Sequence, residues 1–419
     1  MRANLSVVIF ATLTGATLTG ACSWGKFDDL RDEAWVRAVE NPDDDSANWA
    51  VAIQRGNRES SSGGRLAVFG SSQTLFNELL YKADGSVEVS SNQQKLNSQF
   101  GIGNLDPQPI VLADPSSDDI ALITKSGGAS IAVLHGTNGQ LAVTPIFGPD
   151  IPEAATFMVA PGFGAVPSPQ PSQPLVAKGD EVFGAFYTSP EPNFQQPKCK
   201  LMNGADAVTI RALGTYRAAA ATTDDVIVWS GAGDLLIYPG DIFNGTRGTV
   251  CAGGTFATPT AAVDTGFVPS LGSQILTVDG RHVVLQGHTD GGTGFLALYD
   301  LEAVGAPAIV GPPRTDAGIA IATMLVLGTS QLVVVGYPGA RIDGVASGQV
   351  QAFTVSTSTG ISTNPVVTLY DAQPDEDQSF GRGVASMRFN GRNIIVVAAN
   401  NEVFAYYRTA VYDDARMGR

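Results

Sequence analysis

Leu332-Val333-Val334-Val335-Gly336-Tyr337-Pro338-Gly339-Ala340 is an apolar run that stops at a Gly-Tyr-Pro-Gly turn. Shortly afterwards Gly348-Gln349-Val350-Gln351-Ala352-Phe353 resumes as a second strand-like run. A short, Val-rich apolar segment bounded by Gly and Pro reads as a buried β-strand. Proline and glycine fix the reversal, and a proline placed after the strand removes no ladder hydrogen bond. The pair therefore reads as two adjacent strands joined by a shaped turn.

The same unit recurs along the chain. Apolar runs begin at Leu66, Ile120, Leu175, Val226, Val283, Leu332 and Ile394, at intervals of roughly 55 residues. A small-residue turn follows each, then a second run such as Leu75 to Tyr81, Leu235 to Tyr238, Gly294 to Tyr299 or Glu402 to Tyr407. Polar turns precede several of the first runs: Asp114 to Asp119, Thr222 to Asp225, Asp279-Gly280-Arg281 and Asn390-Gly391-Arg392. Each unit holds about four strands, which is the make-up of a propeller blade. One four-stranded sheet cannot bury both of its faces, so the units must stack. The fold expected is all-β, a roughly seven-bladed β-propeller.

LVVVGYPGA followed by GQVQAF resembles the FG-GAP repeat of integrin-α-like β-propellers. Phe380-Gly381 before Arg382-Gly383-Val384-Ala385, Phe100-Gly101 before Ile102-Gly103, and Phe163-Gly164 match that family's Phe-Gly element. The resemblance implies a Phe packed between blades and a Gly where backbones approach closely. It also implies calcium-binding acidic turns before some strands. Asp114, Asp118 and Asp119 are the one set of carboxylates here that suits such an ion. A plain acidic turn is the reading preferred there, and no cofactor is expected. Asp279-Gly280 and Asn390-Gly391 read instead as hairpin turns.

Composition supports the β reading: 48 Gly, 24 Pro and 44% hydrophobic residues among 419 suit many short strands around a filled core. A net charge of −15 repels phosphate backbones, so nucleic acid is not expected as a partner. The stretch Ala317 to Ala340 carries no charge, and Thr329-Ser330-Gln331 divides it into two strands rather than one membrane span. At the N-terminus, Met1-Arg2 precedes an apolar stretch from Leu5 to Ala21, and Cys22 follows Thr19-Gly20-Ala21. This reads as a secretory signal. Its end resembles the lipobox of bacterial lipoproteins, with Thr19 where that family usually has Leu. The resemblance implies cleavage before Cys22 and acylation of it, and Ser23 implies sorting to an outer membrane. In an exported chain the two remaining cysteines, Cys199 and Cys251, form the expected disulfide.

The spacing of Phe27, Leu30, Ala34, Trp35 and Ala38 predicts a helix over Asp28 to Glu40. The organisation expected is a signal peptide at 1–21, an acidic helical tether at 22–47, a propeller of about seven FG-GAP-like blades at 48–412, and a tail at 413–419. His135, His282, His288 and Asp290 do not form a known metal spacing, and Asp375-Glu376-Asp377 reads as a solvated loop. Asn244-Gly245-Thr246 matches a glycosylation pattern that a bacterial lipoprotein does not use. No nucleophile elbow, zinc-protease or P-loop motif is present. The function expected is a non-catalytic one. The chain is read as a lipid-anchored module of the cell envelope that binds or scaffolds a cell-envelope protein. The alternatives are a propeller hydrolase or lactonase with a central-channel site, and a calcium-dependent adhesin. The enzyme is disfavoured because the seven first runs, taken as the channel-lining strands, carry almost no polar groups.

Overall fold

The computed structural model describes residues 35–40, 49–55, 64–70, 75–81, 87–89, 94–95, 111–113, 120–123, 131–135, 142–146, 157–159, 175–178, 180–184, 198–216, 225–239, 256–269, 273–278, 281–288, 294–302, 309–310, 320–325, 331–370, 376, 379–389, 392–400 and 402–406. Among them every regular element is a β-strand. The strands form seven sheets, each built on an antiparallel meander. In the sixth, Ala320–Leu325, Gln331–Tyr337 and Gln349–Ser356 lie side by side, and Gly360–Ile361 and Val367–Leu369 both pair with the third strand. The uncharged stretch around Ala317 to Ala340 is thus a strand pair, with Met324 opposite Leu332. No helix among the described residues is long and apolar enough to cross a membrane.

The packing explains why Leu332 to Val335 is apolar without alternation. Side chains of a strand point alternately to its two faces. Leu332 and Val334 pack with Phe380, Val384, Ile395 and Val397 of the seventh sheet's unit. Val333 and Val335 pack the other way, with Val284, Leu296 and Leu298 of the fifth sheet. Val283 and Leu285 in turn join Trp229, Leu235 and Ile237 of the fourth. A strand covered on both faces has no solvent side to mark with polar residues. Each fully buried valine contributes roughly 1.5–3 kcal/mol relative to exposure.

The runs beginning at Leu66, Ile120, Leu175, Val226, Val283, Leu332 and Ile394 are the second strands of their sheets, not the innermost. The first strands are Trp49–Arg55, Val111–Ala113, Phe157–Val159, Ile210–Tyr216, Gln274–Thr277, Ala320–Leu325 and Gly383–Phe389. Each touches the first strand of the next sheet, and Gly383–Phe389 touches Trp49–Arg55, which closes the ring. A ring of radially packed four-stranded sheets is a β-propeller. The apolar runs therefore do not line the channel, and their lack of polar groups says nothing against a site there. The true first strands include Arg211, Thr215, Gln274 and Thr277.

Closure also corrects the N-terminal expectation. Trp35–Glu40 is a strand, not the second half of a helix, and pairs with Glu402–Tyr406 as the outer strand of the seventh sheet. Trp35, Val36 and Val39 are aromatic or β-branched, types that favour strands. The edge they cover would otherwise stand open. The propeller therefore includes residue 35, upstream of the boundary expected at 48. Residues 28–34 of the expected helix lie outside the described residues.

Candidate functional site

The turns that follow the second strands share one end of the ring with the links between successive sheets. Its best-defined part lies between the sixth and seventh sheets. After Tyr337, the amide of Ala340 donates to the Tyr337 carbonyl at 3.1 Å, and that of Gly348 donates to Ala340 at 2.9 Å. Between them the chain projects a small hairpin. Ile342 and Val345 exchange backbone hydrogen bonds of 2.8 and 2.9 Å across Asp343 and Gly344, whose φ angles are 50° and 89°. Asp-Gly is the dipeptide such a two-residue turn favours. Arg341 Nη1 donates to the Gly344 carbonyl at 2.7 Å and ties the tip to its base. Arg341, Asp343 and Gly344 are exposed.

Phe380 and Gly381 sit beneath this loop. The Phe380 amide donates to Ser347 at 2.7 Å, the Gly381 amide donates to Ala398 at 3.1 Å, and the Phe380 ring is fully buried between the sheets. Backbone approach is close enough to require glycine: a Cβ on Gly336 would lie 1.8 Å from the Gly381 carbonyl oxygen. Beside it, Arg382 donates to Asn400 Oδ1, and Asn400 Nδ2 donates to Ser379 Oγ at 3.3 Å. Burial holds Arg382 below the usual guanidinium range. Ser379 adopts a left-handed φ of 52°, a conformation that costs a non-glycine residue about 1 kcal/mol.

At the opposite end of the ring, an ionic cluster joins the fourth and fifth sheets. Arg281 makes a two-pronged bond to Asp300 and lies 3.4 Å from Glu302. The bond from Arg281 holds the Asp300 carboxyl below the usual range. Burial, then the charges of Glu302 and Asp225, push the Tyr216 hydroxyl up. Arg281 is half exposed, so this cluster contributes at most about 1 kcal/mol.

The candidates named from sequence fare unevenly. His282 and His288 stand at opposite ends of one seven-residue strand, roughly 20 Å apart, so they do not converge. Asp290 lies outside the described residues. His135 ends its own strand in the second sheet, opposite Ala142. Among the described residues no three His, Cys, Asp or Glu side chains gather as a metal site. Asp114, Asp118, Asp119, Cys22, Cys251, Asn244, Asp375 and Asp377 lie outside the described residues, as do the Phe-Gly pairs at 100–101 and 163–164. Glu376 is exposed in a turn. Cys199 lies in Lys198–Asn203, opposite Val182. Phe389 pairs with Arg392, which leaves only Asn390 and Gly391 to join the strands, too few to wrap a calcium ion. The Arg382–Asn400–Ser379 set was not legible beforehand, because strand register brings it together.

No protein-family model matches the chain, and no curated protein matches it. Solved structures do. A humanized mutant of Chaetomium thermophilum Polycomb Repressive Complex 2, bound to the inhibitor GSK126, matches with a TM-score of 0.54 and 10% identity, over 90% of this chain and 97% of that one. A catalytically inactive variant of virginiamycin B lyase from Staphylococcus aureus, with quinupristin, matches with a TM-score of 0.50 and 10% identity, over 88% and 97%. At such identity the likeness is one of fold alone, and the fold these neighbours share with the chain is the β-propeller.

Proposed function

We propose that the chain is a lipid-anchored module of the bacterial cell envelope whose propeller docks a protein partner without catalysing a reaction. The observation that carries this reading is the Arg341–Gly348 loop. It is fastened at its base, closed by reciprocal bonds at its tip, and exposes Arg341 and Asp343. A rigid exposed loop loses little entropy when it binds. The seating of Phe380-Gly381 against Gly336 and Gly348 supports the FG-GAP-like reading of these two units. Cys22 supplies the anchor, at the outer membrane, and Cys199 with Cys251 supplies a disulfide.

The test is crosslinking and affinity purification from the native envelope, with Cys22→Ser and Arg341→Glu alongside. A stoichiometric partner that Arg341→Glu loses supports docking at this loop. Release of Cys22→Ser into the soluble fraction supports the anchor; a variant that stays on the membrane overturns it. The polar residues on the first strands favour a second reading, an enzyme with a channel site. Hydrolysis of ester or lactone substrates by the purified chain, with no partner captured, would replace the first reading with the second.

A further inference from the structure

The strand Lys198–Asn203 ends in a tight reversal. Met202 pairs with Ala207 and Asn203 with Asp206, so Gly204 and Ala205 alone join the two strands. Gly204 has a φ of 65°, which suits a glycine at the first place of a two-residue hairpin turn. Asn203, Gly204, Ala205 and Asp206 are all exposed. Among the described residues nothing lies within 4 Å of a Cβ built on Gly204, and no acceptor takes its amide hydrogen. The turn therefore holds an asparagine side chain next to an uncrowded, unbonded main-chain nitrogen. The other Asn-Gly pairs of the sequence, Asn138-Gly139, Asn244-Gly245 and Asn390-Gly391, lie outside the described residues.

That pairing carries its own chemistry. The nitrogen of the following residue can attack the carbonyl carbon of the asparagine side chain. A carbon–nitrogen bond forms, the bond to the side-chain amide breaks, and ammonia leaves behind a cyclic imide. Water then opens the ring at either carbonyl. One opening gives an aspartyl residue; the other gives an isoaspartyl residue, whose main chain runs through the former side chain. Water is the only co-reactant. Glycine after the asparagine removes the Cβ that would hinder the nitrogen. What remains is the cost of opening the turn, and a hairpin held by two paired positions opens cheaply. We propose that Asn203 is a self-modification site, deamidated by the Gly204 nitrogen within the folded protein. An aspartyl product sets a carboxylate opposite Asp206, and like charges directly opposite destabilise a strand pair. An isoaspartyl product lengthens the main chain next to Met202, whose carbonyl accepts from the Tyr238 hydroxyl at 3.3 Å. The site stands independently of the lipid anchor and of docking at the Arg341 loop.

The experiment ages the full chain at neutral and at mildly alkaline pH and follows it by peptide mapping with mass spectrometry. Isoaspartate is counted by enzymatic methyl transfer from S-adenosylmethionine. The free peptide acetyl-Leu-Met-Asn-Gly-Ala-Asp-amide is aged beside it, and Asn203→Gln serves as the control variant. Asn203 is exposed, so the longer amide fits without repacking and closes a ring far more slowly. In the folded wild type, position 203 should convert from amide to acid within about tenfold of the free-peptide rate. Conversion should quicken at the higher pH and yield isoaspartate in the fragment that spans the turn. Fresh wild type and fresh Asn203→Gln should melt together, and aged wild type should melt below aged Asn203→Gln. A position 203 that keeps its amide in the folded chain while the free peptide converts overturns the site. So does conversion that appears only once denaturant has unfolded the chain.

Discussion

A methyl group on Gly336 would place its carbon 1.8 Å from the Gly381 carbonyl oxygen, while one on Gly339, three residues on, would meet nothing within 4 Å. The atom in the way is backbone, so no side-chain rotation relieves the clash. Gly336→Ala should therefore cost about 3 kcal/mol or more, and Gly339→Ala well under about 1 kcal/mol. Denaturant unfolding of both variants checks this; similar midpoints would mean the Phe380-Gly381 element does not seat as described. Tyr299 offers a second test at this scale. Its hydroxyl donates to the Thr265 carbonyl at 2.7 Å, and burial raises its pKa to about 12. The folded state thus holds the proton more tightly than the unfolded chain, whose tyrosine titrates near about 10. Its contribution is complete below about pH 10 and fades as pH rises toward about 12. Tyr299→Phe should cost about 1 kcal/mol at neutral pH and flatten the alkaline loss of Tm. An unchanged alkaline slope would assign that loss elsewhere, to Tyr238 or Tyr216, whose pKa values are also raised.

At the scale of the element, the strand Trp35–Glu40 joins the two ends of the propeller. It comes from the N-terminal side of the chain yet completes a sheet whose other strands are Gly383–Phe389, Arg392–Ala398 and Glu402–Tyr406. Removing residues 1–40 strips five paired positions from Glu402–Tyr406, whereas removing 1–34 leaves them all. With cross-strand pairs contributing roughly 0.2–1 kcal/mol each, the longer deletion should cost roughly 1–5 kcal/mol beyond the shorter one. Equal melting temperatures for the two truncations would mean the strand does not close the ring. This element was misread from sequence because Phe27, Leu30, Ala34, Trp35 and Ala38 do recur at helical spacing, and the strand's partner lies more than 360 residues away. The second strands were legible for the opposite reason. Burial on both faces leaves an apolar run that needs no knowledge of its neighbours. Among the first strands Ala320–Leu325 was legible as an apolar run, whereas Ile210–Tyr216 went unrecognised because its mixed sequence shows neither an apolar run nor clean alternation. The Phe380-Gly381 element could be read from its residues. The Arg382–Asn400 pair could not, since strand register alone brings the two residues together.

For the whole molecule, strand direction decides which end faces a membrane if Cys22 is acylated. Trp35 pairs with Tyr406, at the far end of the third strand, while Glu40 pairs with Glu402, which follows the turn after the second strand. The chain therefore joins the ring on the end opposite the Arg341–Gly348 loop. Trp35 lies thirteen positions after Cys22, a reach of about 45 Å at full extension. A short tether from that end turns the Arg341 loop away from the bilayer, and brings the Arg281, Asp300 and Glu302 cluster toward it. Seven-residue strands set the two ends of the ring roughly 20 Å apart, a separation energy transfer resolves. With the lipidated protein on vesicles carrying an acceptor lipid, a donor dye on Glu302→Cys should be quenched more strongly than one on Asp343→Cys. Cys22→Ser should abolish both signals. The reverse order of quenching would put the loop face against the membrane and remove it from reach of a partner on the aqueous side.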